Sequence, residues 1–367
     1  MPDWIATPAA LHARLASPPA RVGLDTEFVR ERTYWPQLAL VQMAVGDDIL
    51  LIDPLAPGMT EALKPVLADP AIVKVMHSAS EDLVAFQYTC GVVPTPLFDT
   101  QIAAALAGVA GGIGYQKLVE QITGVTLAKG ETRSDWLRRP LSEAQLQYAA
   151  DDVRYLFALH DALEQKLAAQ GRLEWLRQDC DRFTAQAAAD EGERWPHLSM
   201  RSAQFLEPAA QLRLIRLLRW REQAARSGDK PRSWILDNEL VVNLARQPPA
   251  DRQALQAQLE AHPKAPRKLG DAIWRALDTP LEDEAQAPLA RAAQEGDKAA
   301  LRRLQDAVAR HSAELGLPDG VLGSRRHLES LLDGGPWPAA LSGWRRAQLE
   351  PLLAPLLNPP PAPPPAA

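Results

Sequence analysis

A chain of 367 residues, 46% of them hydrophobic and 23% charged, has ordinary globular composition and the length of two or three domains. No stretch reaches the ~18 apolar residues of a bilayer span, the first twenty residues carry no apolar signal core, and two cysteines make neither a disulfide framework nor a four-ligand zinc site, so a cytoplasmic protein without membrane contact is expected. The net charge of -6 is unevenly spread, with 17 basic and 26 acidic residues up to position 200 but 23 and 20 after it, so an acidic half suited to cations precedes a basic half suited to polyanions.

Alternating runs at 22–28 and 38–45, followed by the turn Gly46-Asp47-Asp48 and a short apolar run at 49–52, predict a three-stranded meander. A helical pattern at 59–67 leads to a fourth apolar run at 71–76, and helical segments then continue to about residue 168, with Phe98 beside a fifth strand. Strands joined by helical crossovers imply a mixed α/β sheet covered by helices. A polar stretch at 187–199, ending in Trp195-Pro196, marks the first boundary. Beyond it only helical patterns remain, at 207–278 and again at 288–357 after an acidic linker at 281–286. Both blocks end on a Trp-Arg helix, Trp274-Arg275 and Trp344-Arg345-Arg346, which reads as a diverged tandem repeat. The last ten residues, 358–367, are too rich in proline to pack and read as a disordered tail.

Chemistry is concentrated in the first half. Asp25 and Glu27 share one face of a predicted strand, which is costly to bury without a cation between them. Asp82 follows His77 and Ser80-Glu81 at the start of a predicted helix. Tyr148 and Asp152 lie at i and i+4 on one helical face, with Asp151 turned about 100° away. Each feature has a plain structural alternative: a solvated strand face, a helix N-terminal acid, an amphipathic helix. A glycine-rich stretch at 108–114 meets no phosphate-loop pattern, and Asp99 reads as a cap or brace. The helix at 211–226 sets Arg213, Arg216, Arg219, Arg221 and Arg226 around Leu212, Ile215 and Leu218, a pattern equally suited to RNA phosphates or to arginine stems covering apolar surface.

These motifs resemble those of the DEDD 3′-to-5′ exonucleases and, among them, the bacterial ribonuclease D family. The resemblance is carried by Asp25-Thr26-Glu27-Phe28 with Tyr34-Trp35-Pro36-Gln37 after it, by His77-Ser78-Ala79-Ser80-Glu81-Asp82-Leu83 with Phe98-Asp99-Thr100-Gln101 downstream, and by Tyr148 to Asp152 with Val153-Arg154-Tyr155. Gln147 stands where one branch of that superfamily has histidine, so the tyrosine type is implied. The implied fold is α/β: a ribonuclease H-like mixed-sheet exonuclease domain (1–195) followed by two small all-α HRDC-type domains (205–280 and 288–357). The implied cofactors are two divalent ions, Mg²⁺ or Mn²⁺, held by Asp25, Glu27, Asp82 and Asp152, hard cations that prefer carboxylate oxygens and that at about 4 Å apart can serve both sides of a phosphodiester. Tyr148 would align the attacking water, since a phenol with a pKa near 10 is not ionised at neutral pH.

The implied activity is removal of 3′ nucleotides from tRNA precursors and other small RNAs with single-stranded 3′ ends, releasing nucleoside 5′-monophosphates. A DNA exonuclease of the same superfamily and a non-catalytic RNA-binding adaptor are the alternatives. Gln37, His77, Arg133, Arg138, Arg213 and Arg216 are candidate substrate contacts, together with Lys129 and Arg139. Residues 1–190 are expected to suffice for chemistry on short single strands. The oligomeric state stays open, with a monomer the simplest reading.

Overall fold

The structure, a computed structural model, describes residues 2–128, 130, 134–189, 192–263, 265–291 and 295–357. The proline-rich tail lies outside the described residues. The described residues form two compact units: those within 2–29, 38–189 and 295–357 make the first, and those within 30–37 and 192–291 the second.

The first unit is built on a six-stranded mixed sheet. In chain order it contains β1 (Asp3–Ile5), α1 (Pro8–Arg14), β2 (Arg21–Val29), β3 (Gln37–Val45), β4 (Asp48–Ile52), α2 (Met59–Ala68), β5 (Val73–Met76), α3 (Ser80–Cys90), β6 (Leu97–Asp99), α4 (Thr100–Leu106), α5 (Tyr115–Thr123), α6 (Glu143–Arg154), α7 (Leu156–Ala169) and α8 (Leu173–Ala189). The strand order is β1-β4-β3-β2-β5-β6. β3 and β4 pair antiparallel, while β5 lies parallel to both β2 and β6, and β1 parallel to β4. The mixed α/β architecture expected from the alternating runs is present. β1, too short to give a sequence pattern, was not among the expected strands. Leu24, Leu40, Met43 and Leu50 are fully buried, and helices supply the apolar partners that a two-faced buried sheet requires.

The last helical block does not stand apart from this sheet. α14 (Glu295–Glu314), α15 (Arg325–Leu332) and α16 (Trp344–Leu357) contribute Leu304, Leu328 and Leu349 to the same apolar core as β2 and β5. Trp344 stacks on Trp175 of α8 with centroids 4.3 Å apart and planes within 5°. Asp179, also on α8, is nearly fully buried and accepts hydrogen bonds from Trp344 Nε1, Arg345 and Arg182. Where the sequence suggested a separate domain at 288–357, residues 295–357 belong to the unit that holds the sheet.

The second unit holds α9 (Pro208–Ser227), α10 (Arg232–Ile235), α11 (Asn238–Arg246), α12 (Arg252–Ala261) and α13 (Gly270–Asp278). Asp237 and Asp251 cap α11 and α12, accepting from Leu240 N and Ala254 N, the role short acidic side chains play at helix starts. Leu214, Leu217, Val241, Leu244 and Ile273 form its core. Residues 30–37, read from the sequence as part of the nuclease domain, belong here: Tyr34 packs with Ala225 and Ile235, its hydroxyl bonds Glu222, and Asp229 accepts from the backbone of Tyr34 and Trp35.

Candidate active site

β2 is a central strand, and its side chains alternate. Val22 and Leu24 are fully buried on one side, while Asp25 and Glu27 lie on the other and remain half-buried. α6 supplies the next two groups. Its start is fixed by a capping box, in which Ser142 accepts from Gln145 N and Gln145 accepts from Ser142 N. From that start Tyr148 and Asp152 fall one turn apart on one face, close enough for each to shift the proton affinity of the other.

Asp82 sits in the first turn of α3 and is buried. Thr26, leaving β2 on the side opposite to Asp25 and Glu27, donates its hydroxyl to Asp82 Oδ1 and so ties the first acidic motif to the second. The turn into α3 is held by Asp99, which accepts from Ser78 N at 3.2 Å and Ala79 N at 2.9 Å while capping α4 through Gln101 N and Ile102 N. Ser78 takes a left-handed conformation, φ +57°, sustained by that bond. Tyr115 steadies the far end of α6: its hydroxyl donates to Asp151 O at 2.9 Å and accepts from Tyr155 N at 3.2 Å, bracketing Asp152.

The four acids act on one another. Burial, followed by the charges of Asp82, Asp152 and Glu27, holds Asp25 well above the usual carboxylate range. Burial, then Asp152 and Asp82, pushes Glu27 up to about 8. Asp82 and Asp152 rise to about 7, burial being opposed by the bonds from Thr26 and Tyr148 respectively. Burial and the neighbouring carboxylates also raise the Tyr148 phenol, so it is a neutral donor at physiological pH. The charges raising Asp25 and Glu27 are those of other acids, and a hard divalent cation is the counter-charge such an oxygen donor set fits.

The remaining sequence candidates fall elsewhere. Asp151 is occupied on the helix surface by Gln147 and Arg154. His77 has both ring nitrogens engaged, Nδ1 with Thr100 Oγ1 at 2.8 Å and Nε2 with Ile113 O at 3.1 Å, so it braces the turn before α3. Gln37 opens β3 and is exposed, as is Arg138. Lys129 and Arg133 lie outside the described residues. Arg139 grips Asp53 through two nitrogens and also donates to Ala39 O and Trp136 O, a structural tie that sequence reasoning missed. Within the helical unit Arg213 donates to Ala245 O, Arg216 grips Glu284 and Leu277 O, and Arg219 grips Asp283. These guanidiniums are thus engaged inside that unit rather than free on a basic face. Among the described residues, the His/acid trio drawn tightest is His160, Asp161 and Glu164 rather than the four motif acids, and Arg21 already lies against His160 and Asp161.

A 3′-5′ exonuclease family matches residues 2–168 and the HRDC domain family matches residues 211–277. The chain is 67% identical over 351 residues to ribonuclease D of Xanthomonas oryzae pv. oryzae, covering 95% of this chain and 97% of that one. It is 37% identical to ribonuclease D of Shewanella, covering 92% and 88%. Among solved structures, Escherichia coli RNase D, described as an exoribonuclease involved in structured RNA processing, superposes with a TM-score of 0.83 at 30% identity, covering 97% of this chain and 98% of that one.

Proposed function

Because the chain belongs to the ribonuclease D family and is a metal-dependent 3′-to-5′ exoribonuclease, we propose that it trims the 3′ ends of tRNA precursors and other small structured RNAs, releasing nucleoside 5′-monophosphates, with two divalent ions held by Asp25, Glu27, Asp82 and Asp152. The convergence of these four acids with Tyr148, each charge raising the others, carries this reading. Mg²⁺ or Mn²⁺ in such a site supplies charge neutralisation at the scissile phosphate and activation of water.

The protein's own part is placement. β2 presents Asp25 and Glu27 in a fixed register, and Thr26 holds Asp82 against the same strand. α6 carries Tyr148 one turn before Asp152 on the same face, so that the phenol oxygen could accept from a water held by the carboxylate site and orient it for attack. A neutral Tyr148 would align that water rather than deprotonate it. No nucleophilic side chain is required, in keeping with the two cysteines, which are buried and whose thiols burial holds above their ordinary pKa.

A 5′-labelled tRNA with a 3′ extension and a single-stranded DNA of equal length, each incubated in Mg²⁺ or in EDTA, test the reading. Stepwise shortening of the RNA in Mg²⁺ with nucleoside 5′-monophosphate as product is expected. Equal use of the DNA would give the DNA exonuclease reading, and activity that survives EDTA would end the metal assignment.

A further inference from the structure

Gln42 is an anomaly in β3. The strand reads Gln-Leu-Ala-Leu-Val-Gln-Met-Ala-Val, and Gln42 lies at its centre with 0% exposure. Neither Nε2 nor Oε1 has a hydrogen-bond partner. A buried amide left unpaired is costly, and a leucine or methionine would fill the same space without that cost.

Its place in the sheet is fixed by two observations. β2 and β3 are sheet neighbours joined only by residues 30–36, too short a link for the crossover that parallel strands need, so they run antiparallel. A Cβ added to Gly23 would lie 3.1 Å from the Ala44 Cβ, which sets Gly23 opposite Ala44. Two residues further along each strand, Asp25 stands opposite Gln42 on the same sheet face, at the ~4.5–5.5 Å Cβ separation of facing pairs. On its other side Gln42 pairs with Leu51 of β4, and Leu51 packs with Trp136 and with Ala149 of α6. The orphaned amide therefore lies beside Asp25, beneath the helix that carries Tyr148 and Asp152.

We infer that Gln42 is a positioning residue for Asp25, its Nε2 being the donor kept for the Asp25 oxygen that does not face a cation. A carboxylate ligand needs such a donor to fix its rotamer, and the donor must not be a cation, which would compete with the metal. An amide meets both conditions. The inference rests on the assignment of Asp25 as a metal ligand.

The test uses the full chain as wild type, Gln42→Met, Gln42→Leu and Asp25→Asn. Mn²⁺ binding is measured by calorimetry without RNA, beside thermal melting in EDTA and steady-state kinetics on a short RNA. With Gln42→Met, which keeps the side-chain length, the melting temperature in EDTA is expected to hold or rise. Mn²⁺ affinity should fall about 10-fold or more, and kcat should drop with KM for RNA unchanged. Gln42→Leu should behave alike. Folded Gln42 variants that bind Mn²⁺ within about two-fold of wild type would overturn the positioning role. Wild type and Asp25→Asn binding Mn²⁺ equally would instead remove the ligand assignment, and this inference with it.

Discussion

Tyr148 and the acids around it differ in what their loss should do. Tyr148→Phe keeps the ring beside Trp136 and removes only the hydroxyl, so Mn²⁺ affinity should stay close to wild type while the single-turnover rate falls about 10²-fold. Asp151→Asn, altering a carboxylate already taken by Gln147 and Arg154, should leave activity nearly intact, whereas Asp152→Asn should abolish it. Equal damage from the two would reverse the choice of helix face. The raised carboxylates also give a pH signature. In the metal-free chain the stability they contribute is complete below about pH 4, where folded and unfolded forms are both protonated, and is lost as pH rises through the values near 7 and 8 of Asp82, Asp152 and Glu27. Divalent ions bind only the ionised forms, so the melting-temperature gain in Mg²⁺ over EDTA should grow steadily from pH 5 to pH 8. A gain independent of pH would place the binding elsewhere. Asp25 with Glu27 and Tyr148 with Asp152 can be paired from the sequence because their spacing is local, alternation on a strand and one turn of a helix, whereas Asp82 and the joint role of the five come only from the resemblance. Thr26, Tyr115, Arg139 and Gln42 were not legible, because each acts on a group 16 or more positions away, across the sheet or from another element, and a single sequence carries no record of such pairs.

At the scale of elements, the same contrast separates patterns from contacts. The meander, the helix at 59–67 and the strand before His77 follow from periodicity, and Ser142-x-x-Gln145 announces the start of α6. The Trp-Arg pair at 344–345 was read as an echo of Trp274-Arg275, yet in the structure it clamps α16 to α8 through Trp175 and Asp179. Asp179→Ala would leave Arg345, with 12% of its side chain exposed, without its carboxylate. Removing one partner of a buried pair costs about 3 kcal/mol or more, so urea unfolding should shift to a clearly lower midpoint, and limited proteolysis should cut residues 294–357 before the sheet. An unchanged midpoint would mean that the stacked tryptophans alone hold the block.

For the molecule as a whole, the charge difference between its halves suggested that a chain ending near Glu193 would keep the chemistry and lose only RNA affinity. That cut falls near only one of the places where the chain passes between the units. Such a truncation removes α14 to α16, which complete the core around the sheet, and also the partners of Tyr34 and Trp35. It should be insoluble or melt well below the full chain. Deleting 200–290 with a short linker, and replacing Tyr34 and Trp35 by polar residues, should instead retain hydrolysis of short single strands. Inactivity of a folded protein of that kind would show that the helical unit contributes to chemistry as well as to binding. Residues 30–37 have one more implication. The polypeptide passes between the two units near residues 29, 37, 189 and 293, so each is assembled from segments that the other interrupts. Neither is a cassette that a single recombination event could append, remove or exchange. The loop after the Asp25 strand is therefore part of the helical unit's own packing, and a grafted helical unit from a distant relative would have to bring its own version of that loop.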